Sequence, residues 1–160
     1  FKKGKRLVRK QSLFHPENLR EIKERIHHIS EQSERKWGQM NVGQMLRHCD
    51  LILQVGLGKI ILPKTNFFIK AIGSLTKMEM SILNNGIPRN MPTFAMVKVS
   101  ENCNLEKSRT ELLITIAEFV SKGEKNNLVS QHELFGKMST KDWGFMEYKH
   151  LNHHLKQFGA

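Results

Sequence analysis

The stretch STKDWGFMEYKHLNHHLKQFG, residues 139–159, decides the reading of this chain. Ser139-Thr140-Lys141-Asp142 has the form of a capping box with Asp in place of Glu, so a helix is expected to start there and reach Gly159. On that helix Trp143, Glu147, His150 and His154 form one stripe, beside a second made of Leu151, Leu155 and Phe158. Residues 150 and 154 lie one turn apart and project from the same face, which is how a helix offers two imidazoles to one metal ion. His153 points about 100° away from His154. With eight histidines in 160 residues such a pair arises easily by chance, and its place on an inward face is what gives it weight. Two neutral imidazoles side by side in a core need partners for four ring nitrogens, and a divalent cation satisfies two of them at once.

Four further segments show helical periodicity. After His15-Pro16, Leu19, Ile22, Ile26 and Ile29 recur at three and four residues with charged residues between them, which predicts a one-faced helix over 16–33. Asn41 can cap a second helix, in which Val42, Met45, Leu46, Cys49, Ile52 and Leu53 form a wide apolar stripe to about Gly56. Pro63 is expected to open a third helix through Asn66, Phe67, Phe68, Ile69 and Ile72. The next region, 82–94, carries Asn84-Asn85-Gly86, Pro88 and Pro92 and reads as a long crossover loop. A fourth helix runs from about Asn104 through Leu105, Leu112, Leu113, Ile116, Phe119 and Val120 to near Gly123. Strand alternation is confined to Phe94–Val99. The expected fold is therefore all-α, a four-helix bundle with its long loop between the third and fourth main helices. Trp37-Gly38-Gln39-Met40-Asn41 and Phe135-Gly136-Lys137-Met138-Ser139 echo each other as aromatic-Gly turns ahead of helix caps, a feature of architecture rather than of duplication.

The helix of residues 41–56 supplies a third imidazole, since His48 falls between Met45 and Ile52 on its apolar face. A lone histidine there reads first as a core residue bonded to a carbonyl; the His150/His154 pair across the bundle turns the reading toward ligation. Three histidines with an open position make a Lewis-acid site, at which a water or thiol loses its proton near neutral pH. Glu147, one turn before His150, is the candidate to orient an imidazole or accept a proton, its plain alternative being a surface glutamate. His27 and His28 read as the solvent flank of the first helix, His15 and His132 as loop residues, and Cys49 as a small core residue. No phosphate-cradling glycine loop, dinucleotide fingerprint or serine elbow is present.

A hydrophobic content of 39% with 26% charged residues fits one globular domain. Two cysteines cannot build a disulfide framework, which makes a cytoplasmic setting the expectation. Apolar runs such as Leu51–Leu62 are interrupted well short of the roughly 18 residues a membrane helix needs, so no membrane partner is expected. Of the net charge of +11, six cations (Lys2, Lys3, Lys5, Arg6, Arg9 and Lys10) lie in the first ten residues, leaving 20 against 15 in the rest. The organisation read from this is a basic arm over 1–12 and a bundle domain over 13–160. No apolar stretch follows the arm as a secretory signal requires, so export is not expected.

Taken together, Trp37-Gly38, Gln44-Met45-Leu46-Arg47-His48-Cys49, Asp142-Trp143-Gly144 and Tyr148 to Gly159 resemble the DinB-like superfamily of four-helix-bundle metalloproteins. The likeness is to a branch of small bacterial proteins without assigned function and covers roughly residues 13–159. It implies a bundle of unusual connectivity, a nickel, zinc or iron ion on His48, His150 and His154, and thiol-dependent transferase, isomerase or hydrolase chemistry. Two positions depart from it: Glu133, where proline is expected, and Asn152, where aspartate is expected. The main functional expectation is a metal-dependent enzyme that activates water or a low-molecular-weight thiol, with a small-molecule substrate and with a homodimer as the candidate assembly. The alternative is a non-catalytic bundle whose basic arm contacts nucleic acid or another anionic partner.

Overall fold

A computed structural model describes residues 10–160. The basic arm expected over 1–12 therefore lies outside the described residues for all but its last three positions. Five α-helices carry the fold: α1 (Pro16–His28), α2 (Val42–Gly56), α3 (Phe67–Ile82), α4 (Leu105–Glu124) and α5 (Thr140–Gln157). The all-α class and the long loop between α3 and α4 are as the sequence predicts. The region 94–99 departs from it, forming a short 3-10 turn, Ala95–Val97, instead of a strand. A two-residue antiparallel hairpin, β1 (Gln131–His132) and β2 (Gly136–Lys137), is too short to leave an alternation pattern in the sequence.

Helix boundaries follow local hydrogen-bond competition. α1 stops at His28, short of residue 33, because the backbone turns extended at Ile29 and the Ser30 and Ser33 side chains take over nearby amides. The carbonyls so freed on Ile26, His27 and Ile29 are collected by the guanidinium of Arg109 on α4. α3 starts at Phe67 rather than at Pro63, since the Asn66 side chain accepts from the Ile69 amide and acts as its cap. Capping boxes open α2 (Asn41 with Gln44) and α5 (Ser139 with Asp142). Each follows one of the two aromatic-Gly turns, whose glycines Gly38 and Gly136 both adopt positive φ.

In the bundle α1 packs on α4 and α5, and α2 packs on the same two helices. The principal contacts join neither α1 to α2 nor α4 to α5, so these two consecutive pairs sit on diagonals, whereas α2 and α4 lie side by side. A simple up-and-down bundle would place all consecutive pairs side by side. The core between them includes Leu13, Ile22, Ile26, Met45, Leu46, Leu53, Leu112, Ile116, Phe119, Leu151 and Leu155, all fully buried. Phe119 stacks on Phe14 with ring centroids 5.7 Å apart and meets Trp143 edge-on at 6.4 Å. α3 stands outside this ring and touches the body chiefly through β2. Replacing Phe119 with Ala empties the junction of three aromatic rings, and the expected loss is about 3–5 kcal/mol of unfolding free energy, measured by denaturant titration.

Candidate metal centre

The adjacency of α2 and α5 brings His48, His150 and His154 together, one ring nitrogen of each lying within 4.8 Å of the other two. Ring centroids are 5.1 Å apart for His48 and His150, 4.9 Å for His48 and His154, and 4.7 Å for His150 and His154. These are the three residues the spacing singles out, drawn from positions about a hundred residues apart.

Two of the rings have their tautomer set by their surroundings. The Nδ1–H of His48 donates to the backbone carbonyl of Val97 at 2.7 Å, and a carbonyl can only accept. Its Nε2 therefore carries a lone pair, aimed at the Nε2 of His150 3.2 Å away. On His154, Nδ1 lies 2.8 Å from Oε1 of Gln157, whose amide nitrogen donates at 2.8 Å to the carbonyl of Trp37. That second bond orients the amide, so Oε1 accepts and the Nε2 of His154 is again a free lone pair. Gln157 reaches Trp37 only because position 38 is glycine: a Cβ there would lie 2.4 Å from the glutamine nitrogen. Nδ1 of His150 is buried without a hydrogen-bond partner among the described residues.

Burial lowers the proton affinity of all three rings. His48 is held below its ordinary pKa by burial, opposed by the Val97 carbonyl. His150 is pushed well below by burial and then by its histidine neighbours. His154 falls to about 3, through burial and the nearby His48, against the raising effect of Gln157. Neutral imidazole is the form that ligates metals. Two nitrogens held about 2.0–2.1 Å from one tetrahedral ion lie about 3.3 Å apart, close to the 3.2 Å between the two Nε2 atoms. The donor set and its spacing thus fit a divalent cation.

Glu147 is buried rather than on the helix surface, and its Oε2 has no hydrogen-bond partner among the described residues. Burial raises its pKa to about 8, so the carboxyl is mostly protonated at neutral pH. Cys49 is a buried core thiol whose pKa is raised well above the ordinary value by burial and then by Glu147 and Asp50, which leaves it inert as a nucleophile. Asn152 accepts from Arg25 and ties α5 to α1. Glu133 accepts from the Thr65 amide and pairs with Lys70, anchoring the start of α3. His27 and His28 are exposed, as expected. His132 is more than a loop residue: it packs against Phe135 and Trp143, and burial lowers its pKa to about 4.

Spacing did not reveal Val97, Trp37 or Gln157. The first two act through backbone carbonyls, which leave no mark in side-chain patterns. Gln157 had a readable signal, standing three residues after His154 and so on the same face.

Among the described residues, fold and site together define an all-α bundle with a trio of imidazoles, His48 and His154 buried and His150 half-buried, compatible with a metal ion. The chain belongs to the family described as protein of unknown function (DUF1569), whose model matches residues 8–160. No curated protein and no solved structure matches it. Among the described residues no helix is long and apolar enough to cross a membrane.

The buried carboxyl of Glu147 has a titratable consequence. The folded state keeps a proton that the unfolded chain releases near 4.5, so the stability linked to it is fully present below that pH and is lost as pH rises through about 8. Compared with the parent, Glu147→Gln is expected to gain in Tm between about pH 4.5 and 8 and to level off above, read from paired thermal melts across that range.

Proposed function

We propose that this chain is a metal-dependent enzyme of the DinB-like kind, with His48, His150 and His154 holding one nickel, zinc or iron ion. The observation that carries the reading is the pinning of buried His48 and His154 through Nδ1, which leaves their Nε2 lone pairs free in a cluster with half-buried His150. Leaving such acceptors without a cation or donor is costly, and one ion relieves them together. The diagonal placement of α1 to α2 and of α4 to α5, which departs from a simple up-and-down bundle, supports the same reading.

Three imidazoles leave at least one position of a divalent ion open. An ion held there supplies Lewis acidity, lowering the proton affinity of a water or a low-molecular-weight thiol. The protein's own contributions are separate from that chemistry. Val97 and Gln157 fix the ring planes and raise the basicity of the ligating nitrogens. Protonated Glu147, one turn from His150 on α5, is a proton donor to a leaving group or an acceptor once ionised. The reaction class this supports is transfer or hydrolysis on a small molecule, in a cytoplasmic setting where Cys49 and Cys103 stay reduced.

Elemental analysis of protein purified without a His tag, beside His150→Ala, tests the site. About one equivalent of nickel, zinc or iron in the parent and its loss in the variant is the expected result. Added Zn²⁺ or Ni²⁺ should also raise the parent's Tm and leave that of the variant unmoved, because a ligand at 100 times its Kd stabilises by about 2.7 kcal/mol. Metal-free parent protein with an unchanged melt in both ions would reduce the trio to a structural role.

A further inference from the structure

A cavity of about 350 Å³ opens on the face of α5 next to the imidazole trio, roofed by the first part of the crossover loop. That space equals roughly a dozen waters and lies within the usual range for small-molecule sites. Arg89, Lys149 and Lys156 line it, with Trp37 and Phe145 as aromatic walls, and no carboxylate is among its lining residues. The loop is tied down over it. Lys149 donates to the carbonyl of Asn84, and the guanidinium of Arg89 lies over the Trp37 ring, 4.0 Å from its centroid. The cavity also adjoins the trio: His153 lines it and its ring lies 4.9 Å from that of His154, while the carbonyl of Trp37 holds Gln157.

We propose that this cavity binds a small organic acid, its oxyanion on Arg89, Lys149 and Lys156 and its apolar body against Ile87 and the ring edges of Trp37 and Phe145, whose faces carry Arg89 and Lys149. Three cations facing one pocket without an acidic partner repel one another, and an anion relieves that repulsion while gaining charge-assisted hydrogen bonds. The site requires no ion on the histidines, so its test is independent of the metal reading.

Benzoate and, separately, inorganic phosphate are titrated into metal-free full-length protein at fixed ionic strength, with Trp37 fluorescence as the readout. Saturable quenching by benzoate is expected, weakened about tenfold in both Arg89→Gln and Lys156→Gln, since losing one charged hydrogen bond costs about that factor. Unchanged Tm values show that the variants fold. Saturation by phosphate alone overturns the organic-acid assignment. The absence of saturation with either anion, or titrations that both variants leave unaltered, overturns the site.

A different observation carries a second inference. α3 is turned inside out for a surface helix. Lys70 and Lys77 face the body and pair with Glu133 and Asp142, and Gly73 packs on Leu134. The outward side shows Phe67 (87% exposed), Phe68 (72%) and Ile82 (71%), joined by Ile69, Ile72, Leu75, Met78 and Leu83. Taking roughly 150–200 Å² per large apolar side chain, this face offers on the order of 800 Å², above the few hundred usual on a monomer and near what each partner of a stable dimer buries. We infer that a second copy of the chain covers it, α3 against α3 about a two-fold axis. A membrane surface fits less well, because the helix cations are spent on internal pairs and Glu79 lies on the exposed side.

Sedimentation equilibrium of the full chain should give a dimer at micromolar concentration, and Phe68→Ser with Leu75→Ser a folded monomer. A monomeric parent overturns the inference. So does a dimer that the double variant retains, or a monomer that co-sediments with anionic phosphatidylserine vesicles.

Discussion

Two hydrogen bonds set the geometry of the three-histidine cluster on which the candidate metal centre depends. The Val97 carbonyl accepts from Nδ1–H of His48 and Oε1 of Gln157 accepts from Nδ1–H of His154, and each bond chooses a tautomer as well as a ring orientation. Without them the trio would be three rotatable rings with interchangeable nitrogens. With them, the Nε2 lone pairs of His48 and His154 are left free within the three-histidine cluster. The rest of the architecture serves that arrangement. α2 and α5 must be neighbours, the crossover loop must return across α2, and Gly38 must leave room for a glutamine amide.

Much of this was legible in the sequence because helices write their faces at fixed intervals. Leu19, Ile22 and Ile26, the Asn41 and Ser139 caps, and the one-turn separation of His150 from His154 all express local geometry, and each stands as read. His48 was legible for a related reason, a polar ring on an apolar stripe. What escaped the reading depends on longer-range competition. α1 ends early where Ser30 and Ser33 take over nearby amides, and nothing near residue 29 announces that Arg109, 80 residues on, collects the Ile29 carbonyl. Residues 94–99 alternate as a strand would, but they find no neighbouring strand and fold instead as a single tight turn on α2.

α3 shows where periodicity informs without deciding. Its apolar residues span most of the circumference, so the pattern identifies a helix but not the side that faces inward. Lys70, Gly73, Lys77 and Met80 settle that question through Glu133, Leu134 and Asp142, all beyond the reach of a helical window. Glu133, a departure from the family likeness, turns out to be the anchor at the helix start.

The crossover segment links what would otherwise be separate parts. One continuous piece of backbone supplies Asn84, Ile87 and Arg89 over the basic cavity and, eight residues after Arg89, the Val97 carbonyl behind His48. The lining of the cavity and the orientation of His48 thus depend on one segment outside the four bundle helices. A change in the length or path of that segment would therefore shift the cavity wall and the His48 ring at the same time.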